Sequence, residues 1–163
     1  MRVAVVTGTR AEFGLLAPLM TKIMASDSLE LRTLVTGTHL LEQFGFTVDE
    51  IRQRGFAVDR EVPELSSANT RADVAKQVGA GVTAFAEALE ELEPDVVVML
   101  GDRYELLAAA TAAFFLDIPI VHLHGGEVTN GAFDDSIRHA ISKFAKLHAV
   151  AAAEYGDRLI LAG

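Results

Sequence analysis

The 163-residue sequence predicts an α/β domain: a doubly wound parallel sheet with helices on both faces. Three observations carry the expectation. Compact β-branched runs alternate with longer amphipathic segments, the pattern of strands and crossover helices. The runs are too apolar to have a solvent face, as strands buried on both sides are. Glycines paired with Arg, His or a carboxylate follow four of these runs, where a strand hands over to a helix.

In chain order, strands are expected at Arg2–Thr7, Glu30–Thr36, Ala57–Val62, Asp95–Leu100 and Pro119–His122, with a sixth at Leu147–Ala151. Between them, helical stretches are expected at Gly14–Ala25, Leu40–Phe44, Val48–Arg54, Arg71–Leu92, Arg103–Leu116, Asp135–Phe144 and Ala153–Ala162. The segment Glu64–Thr70, with Ser66, Ser67 and Asn69, is the most loop-like part. There are no repeats and no low-complexity tracts. A chain of this length makes one domain and buries about two-thirds of its unfolded surface.

Composition excludes several classes. No stretch approaches the roughly 18 apolar residues of a membrane span. The start, Met1 to Thr7, has too short an apolar run for a signal peptide and soon meets Arg10 and Glu12, so the cytoplasm is the expected compartment. The absence of cysteine rules out disulfides, thiolate zinc sites and a cysteine nucleophile. With 14 Lys and Arg against 23 Asp and Glu the net charge is −9, which disfavours nucleic acid as a partner. An anionic ligand remains only where a few arginines are focused.

Ligands of such sheets gather at the C-terminal ends of the strands. The first loop, Gly8-Thr9-Arg10-Ala11-Glu12-Phe13-Gly14, lacks G-x-G-x-x-G spacing, so a dinucleotide dehydrogenase is not expected. Gly8 and Gly14 can still admit a phosphate to a helix N-terminus with Arg10 adding a charged fork; alternatively Arg10 simply pairs with Glu12. Gly37-Thr38-His39 follows the second run. Asp102 and Arg103 directly follow Val96-Val97-Val98-Met99-Leu100, where the acid either serves chemistry or caps the next helix. His122 and His124 alternate onto one strand face, with Glu127 beyond Gly125-Gly126; converging ligands for a metal are incomplete, so no metal is expected. Glu127 or His124 is a candidate acid/base instead. Asp134-Asp135-Ser136-Ile137-Arg138-His139 opens a helix, where Asp135 and Arg138 have the spacing of an intrahelical ion pair and Asp134 is freer to face a ligand. Lys143 and Lys146 suit the solvated end of that helix.

Five motifs in order carry a resemblance: Thr7-Gly8-Thr9-Arg10-Ala11-Glu12-Phe13-Gly14, Val35-Thr36-Gly37-Thr38-His39-Leu40, Gly101-Asp102-Arg103-Tyr104-Glu105, His124-Gly125-Gly126-Glu127 and Asp134-Asp135-Ser136-Ile137-Arg138-His139-Ala140-Ile141. Across nearly the whole chain the sequence resembles the hydrolysing UDP-N-acetylglucosamine 2-epimerases. That resemblance implies a Rossmann-like domain forming one half of a two-domain, glycosyltransferase-B-like fold. Residues 1–163 would be the N-terminal catalytic half, with a UDP-binding C-terminal domain outside this chain. The implied reaction takes UDP-N-acetylglucosamine, or a related UDP-2-acetamido sugar, to UDP and free N-acetylmannosamine or its analogue. It proceeds by anti elimination of UDP and rehydration of the glycal, without metal or cofactor, in enzymes that form homo-oligomers.

By position, Asp102 matches a catalytic carboxylate and Asp134 a second acid near the sugar, while Arg10, Gly14 and Arg103 match contacts to the diphosphate. His124 departs from the Glu-Gly-Gly-Glu of several relatives. The His-Gly-Gly-Glu form resembles bacterial members, including those acting on diacetylated bacillosamine, and leaves His124 or Glu127 to take the acid/base place. The chain alone is expected to be inactive. A glycosyltransferase half and a non-catalytic nucleotide-sugar binding module are the alternative readings.

Overall fold

The computed structural model describes residues 1–63, 70–130 and 133–162; the expected loop at Glu64–Thr70 lies almost wholly outside them. Six strands form one sheet: β1 (Arg2–Thr7), β2 (Glu30–Thr36), β3 (Arg60–Val62), β4 (Val96–Leu100), β5 (Ile120–Leu123) and β6 (Leu147–Ala149). Among the described residues six α-helices connect and cover them: α1 (Arg10–Met24), α2 (Val48–Gln53), α3 (Arg71–Leu92), α4 (Tyr104–Phe115), α5 (Asp134–Phe144) and α6 (Ala153–Ala162). The spatial order is β3-β2-β1-β4-β5-β6 and every pair is parallel. The expected Rossmann-like doubly wound architecture is therefore present.

Strand alternation divides the core in two. Val3 and Val5 of β1 turn to one face, where they meet Phe13, Leu16 and Met20 of α1 and Ile51 of α2. Ala4 and Val6 turn to the other, against Phe85 and Leu89 of α3 and the Ala108–Ala113 stretch of α4. Both faces of the central strands are covered, as their apolar sequences required. The edge strands differ: Leu147 of β6 is 60% exposed, because a strand with one neighbour and little helix cover cannot bury both faces.

Several boundaries move for identifiable reasons. Helix α1 begins at Arg10, four residues before Gly14, because Thr9 and Glu12 form a capping box that closes the first turn. Strand β3 is shorter than Ala57–Val62. The Asp59 carboxylate takes the Thr33 amide at 2.7 Å, a side chain standing in where the backbone ladder would start. The expected helix at Leu40–Phe44 is instead two short 3-10 turns, Gly37–Leu40 and Glu42–Phe44. Among the described residues no helix is long and apolar enough to cross a membrane.

The chain winds outward in opposite directions from β1 and β4. Their C-terminal loops therefore splay apart and leave a crevice, the usual ligand position in open α/β sheets.

Candidate active site

A cleft of about 530 Å³ opens at this crossover point, and Asp102, Arg103, His124, Glu127 and Asp134 all line it. Five of the seven expected site residues thus converge from the loop after β4 and from the β5–α5 connection with the first turn of α5. The other two, Arg10 and Gly14, are not in its wall. Arg10 is 73% exposed and its Nε lies 2.9 Å from Glu50, so the expected pairing with Glu12 is also absent. Gly14 lies within α1 on an exposed face with nothing crowding it. Pro18, four residues on, has no N–H to give the Gly14 carbonyl. The backbone donors proposed for a phosphate are also occupied, since Glu12 Oε2 accepts from Gly8 N at 2.8 Å and from Thr9 N at 3.2 Å.

Asp102 does not cap α4. Arg103 holds the cap position, with no side-chain cap bond. The Asp102 carboxylate reaches across to the loop after β5 and to α5. Its Oδ2 accepts from Thr129 Oγ1 at 3.0 Å and from Arg138 Nη2. Arg138 also donates to Thr129 Oγ1 at 2.8 Å and, through Nη1, to the His124 carbonyl at 2.6 Å. The expected Asp135–Arg138 ion pair is corrected accordingly. Arg138 is 6% exposed and faces inward beside Ile137 and Ile141, so its charge is compensated across the cleft. Asp135 instead accepts from Thr129 N at 3.2 Å and lies 3.5 Å from His139. One guanidinium thereby fixes Asp102, the Thr129 loop and the backbone at His124 as a unit.

The expectation that His122 and His124 share a face fails because β5 ends at Leu123. His124 takes a left-handed backbone, φ +61°, and turns into the cleft, where its Nδ1 meets Glu127 Oε1 at 2.6 Å. Gly126 completes this turn at φ +78°, and a Cβ there would lie 2.3 Å from the Tyr155 carbonyl of α6. The turn needs glycine for both its conformation and its contact. His122 stays buried, with Nε2 2.8 Å from the Gly101 carbonyl and Nδ1 3.0 Å from Ser142 Oγ. A carbonyl can only accept, so Nε2 carries a proton. Burial lowers its pKa to about 4, against the Gly101 bond. It braces the turn that presents Asp102. His39 is a similar internal tie between Thr7 and Thr47, at 3.1 and 2.7 Å, and burial likewise takes it down to about 4.

The sequence patterns did not single out two buried carboxylates as site residues: Glu12, which lines the cleft, and Glu105 behind it, at 8% and 4% exposure. Burial pushes the Glu12 carboxyl up to about 7, with Glu105 adding to the shift and the Gly8 amide and Arg103 opposing it. Arg103 Nε lies 2.5 Å from Glu105 Oε1 and 3.9 Å from Glu12 Oε1. Both acids were detectable: Glu105 is in register with Ala108, Ala109 and Ala112 on the buried stripe of α4, and Thr9-x-x-Glu12 has capping-box spacing. Asp134, in the first turn of α5, lines the cleft without an ion pair to any described residue. No group of three or more His, Asp or Glu among the described residues is arranged to hold a metal ion.

Comparison with known proteins finds relatives along nearly the whole chain. The family model for UDP-N-acetylglucosamine 2-epimerase matches residues 21–163. A Campylobacter jejuni protein named GDP/UDP-N,N'-diacetylbacillosamine 2-epimerase (hydrolyzing) is 42% identical over 99% of this chain and 42% of its own length. A Legionella pneumophila UDP-N,N'-diacetylbacillosamine 2-epimerase (hydrolyzing) is 43% identical over 99% of this chain and 43% of its own. The solved UDP-GlcNAc 2-epimerase of Neisseria meningitidis, bound to UDP-GlcNAc, has the same fold with a TM-score of 0.86 at 20% identity, over 99% of this chain and 43% of that one. The chain therefore spans less than half the length of these relatives. With a family match over most of its residues and relatives above 40% identity along nearly all of it, this chain belongs to the UDP-N-acetylglucosamine 2-epimerase family.

Proposed function

We propose that this chain is the N-terminal domain of a two-domain hydrolysing 2-epimerase that converts a UDP-2-acetamido sugar to UDP and the free 2-epimer. The observation that carries the reading is the convergence of Asp102, His124–Glu127, Asp134 and Arg103 on one cleft at the crossover point. The names of the relatives support the reaction class. The His-Gly-Gly-Glu loop, with those relatives, favours UDP-N,N'-diacetylbacillosamine over UDP-N-acetylglucosamine as substrate.

The C2 hydrogen of such a sugar is not next to a carbonyl, so its removal needs departure of UDP to run ahead and build positive character at C1. Asp102 is suited to take that proton. Its Oδ2 is held by Thr129 and Arg138, which fixes the carboxylate and leaves Oδ1 for the substrate. The C2–H electron pair forms the C1=C2 bond as the C1–O bond to phosphate breaks. Arg103 offers charge-assisted hydrogen bonds to the departing diphosphate, where charge develops, and Arg10 can join once it leaves Glu50. A proton then returns to C2 from the opposite face, from Asp134 or from the His124–Glu127 pair, and water adds to C1. Imidazole and carboxylic acid are both common proton donors in such steps.

The test is the two-domain protein with either UDP-sugar in D2O. Release of UDP and a free 2-epimer carrying solvent deuterium at C2 is expected, and this chain alone should release none. Retention of the C2 hydrogen with transfer to an added acceptor would refute elimination and identify a glycosyltransferase. UDP-sugar binding that survives Asp102→Asn, with no chemistry in the parent, would identify a binding module.

A further inference from the structure

The proposed mechanism uses Arg103 but not the two buried carboxylates around it. Glu105, in the first turn of α4, packs its carboxylate into a pit between the ends of β1 and β2. A Cβ on Gly8 would lie 2.9 Å from Glu105 Oε1, and a Cβ on Gly37 would lie 2.8 Å from the same atom. Any side chain at either position would evict the carboxylate. From this pit Oε1 takes Arg103 Nε at 2.5 Å, and Glu12 Oε1 stands 3.9 Å away from the same nitrogen.

We propose that Glu105 is a positioning residue, which holds the Arg103 guanidinium at the cleft for the substrate's diphosphate; the role rests on the reaction proposed above. Three features support it. Engagement through Nε leaves the planar Nη1 and Nη2 fork of the guanidinium for two phosphate oxygens. An unheld arginine has many rotamers and would have to be ordered during reaction, whereas a pre-set one needs no such reorganisation. The arrangement is also poor as a purely structural device. Two buried acids face one arginine, and Glu105 Oε2 has no partner among the described residues, although Glu105 lines a cavity of about 20 Å³. That volume admits about one water molecule. A fold needing only to fill this space would be served as well by an uncharged side chain, since buried ion pairs seldom add stability over apolar packing. Burial of Glu12, which lifts its carboxyl to about 7, limits how much negative charge the pair sets against an incoming diphosphate near neutral pH.

The test is a double-mutant cycle in the two-domain protein, with UDP affinity by calorimetry and kcat and KM for the UDP-sugar. Glu105→Gln is expected to weaken UDP binding about tenfold and lower kcat/KM in the parent. In an Arg103→Ala background it should change either by less than about twofold. Glu105→Asp keeps the charge one methylene short of the pit and should fall between parent and Gln. Equal losses in both backgrounds, or none in the parent, would overturn the role. So would collapse of both Glu105 variants in a thermal melt, which would make this a folding residue. A parent protein that neither binds UDP nor releases it from a UDP-sugar would refute the reaction itself, and this role with it.

Discussion

Replacing Arg138 by Met keeps the length of the side chain and removes its charge, which makes it the sharpest perturbation of the candidate site. Arg138 is 7% exposed in its side chain and Asp102 18%. Met would strip Asp102 of its ionic partner and leave the His124 carbonyl without a donor. Breaking a buried pair by removing one member costs about 3–5 kcal/mol. For a domain of this size each kcal/mol lowers the melting temperature by about 2–4 °C, so a fall of roughly 6–20 °C is expected in a calorimetric scan. Adding Asp102→Leu to Arg138→Met should restore part of the loss, because the stranded charge is then gone. Arg138→Lys should restore less, since one ammonium cannot reach Asp102, Thr129 and the His124 carbonyl in the same fork geometry. A fall below about 1 kcal/mol would mean that water entering the cleft solvates Asp102, and that Arg138 does not organise the site.

Asp102→Asn in the two-domain protein should lower turnover by at least about 100-fold, with UDP affinity within a few-fold, as loss of a base predicts; near-normal turnover would remove Asp102 from the chemistry. Arg103→Ala should weaken UDP binding by about 1.5–3 kcal/mol. Arg10→Ala should cost less, because Arg10 must first leave Glu50; calorimetry showing no change in either would put the diphosphate elsewhere. His39 and His122, taken down from 6.5 to about 4 by burial, give stability that is present above pH 6.5 and lost as pH falls through about 4. Glu12, raised from 4.5 to about 7, acts in reverse, its contribution present below pH 4.5 and lost as pH rises through about 7. Urea unfolding should therefore show stability climbing from pH 4 towards 6.5 and sagging above it. His39→Gln should flatten the acid limb and Glu12→Gln should remove the sag, so an unaltered profile in both variants would refute the assignments.

The local chemistry of the chain was enough to establish the layered α/β architecture and the edge of the sheet that carries the site. Strand and helix periodicities are short-range properties, and Val96 to Leu100 is apolar enough to require cover on both faces whatever surrounds it. A loop that follows such a strand must emerge at its C-terminal end, so Asp102 and Arg103 were placed correctly before any contact was known. The cleft position of Glu127 and Asp134 followed from the same geometry, whereas His124 enters the cleft through a left-handed turn that strand alternation does not predict.

Partner choice was a different matter. Asp135 and Arg138 have perfect helical spacing for each other, yet Arg138 is 36 residues from the Asp102 it binds. Buried beside Ile137 and Ile141, it cannot be left to solvent, and the fold brings Asp102 within its reach. Arg10 turned outward to Glu50, and Glu12 took the amides that a phosphate was expected to use, because a capping box closes within one turn without help from distant chain. Sequence by itself determined what depends on periodicity and chain continuity: the strands, the helices and the sheet edge where ionisable groups collect. Only the tertiary structure decided which charge meets which, because burial removes the competing water and each buried charge must then find a partner among whatever residues the fold has brought near.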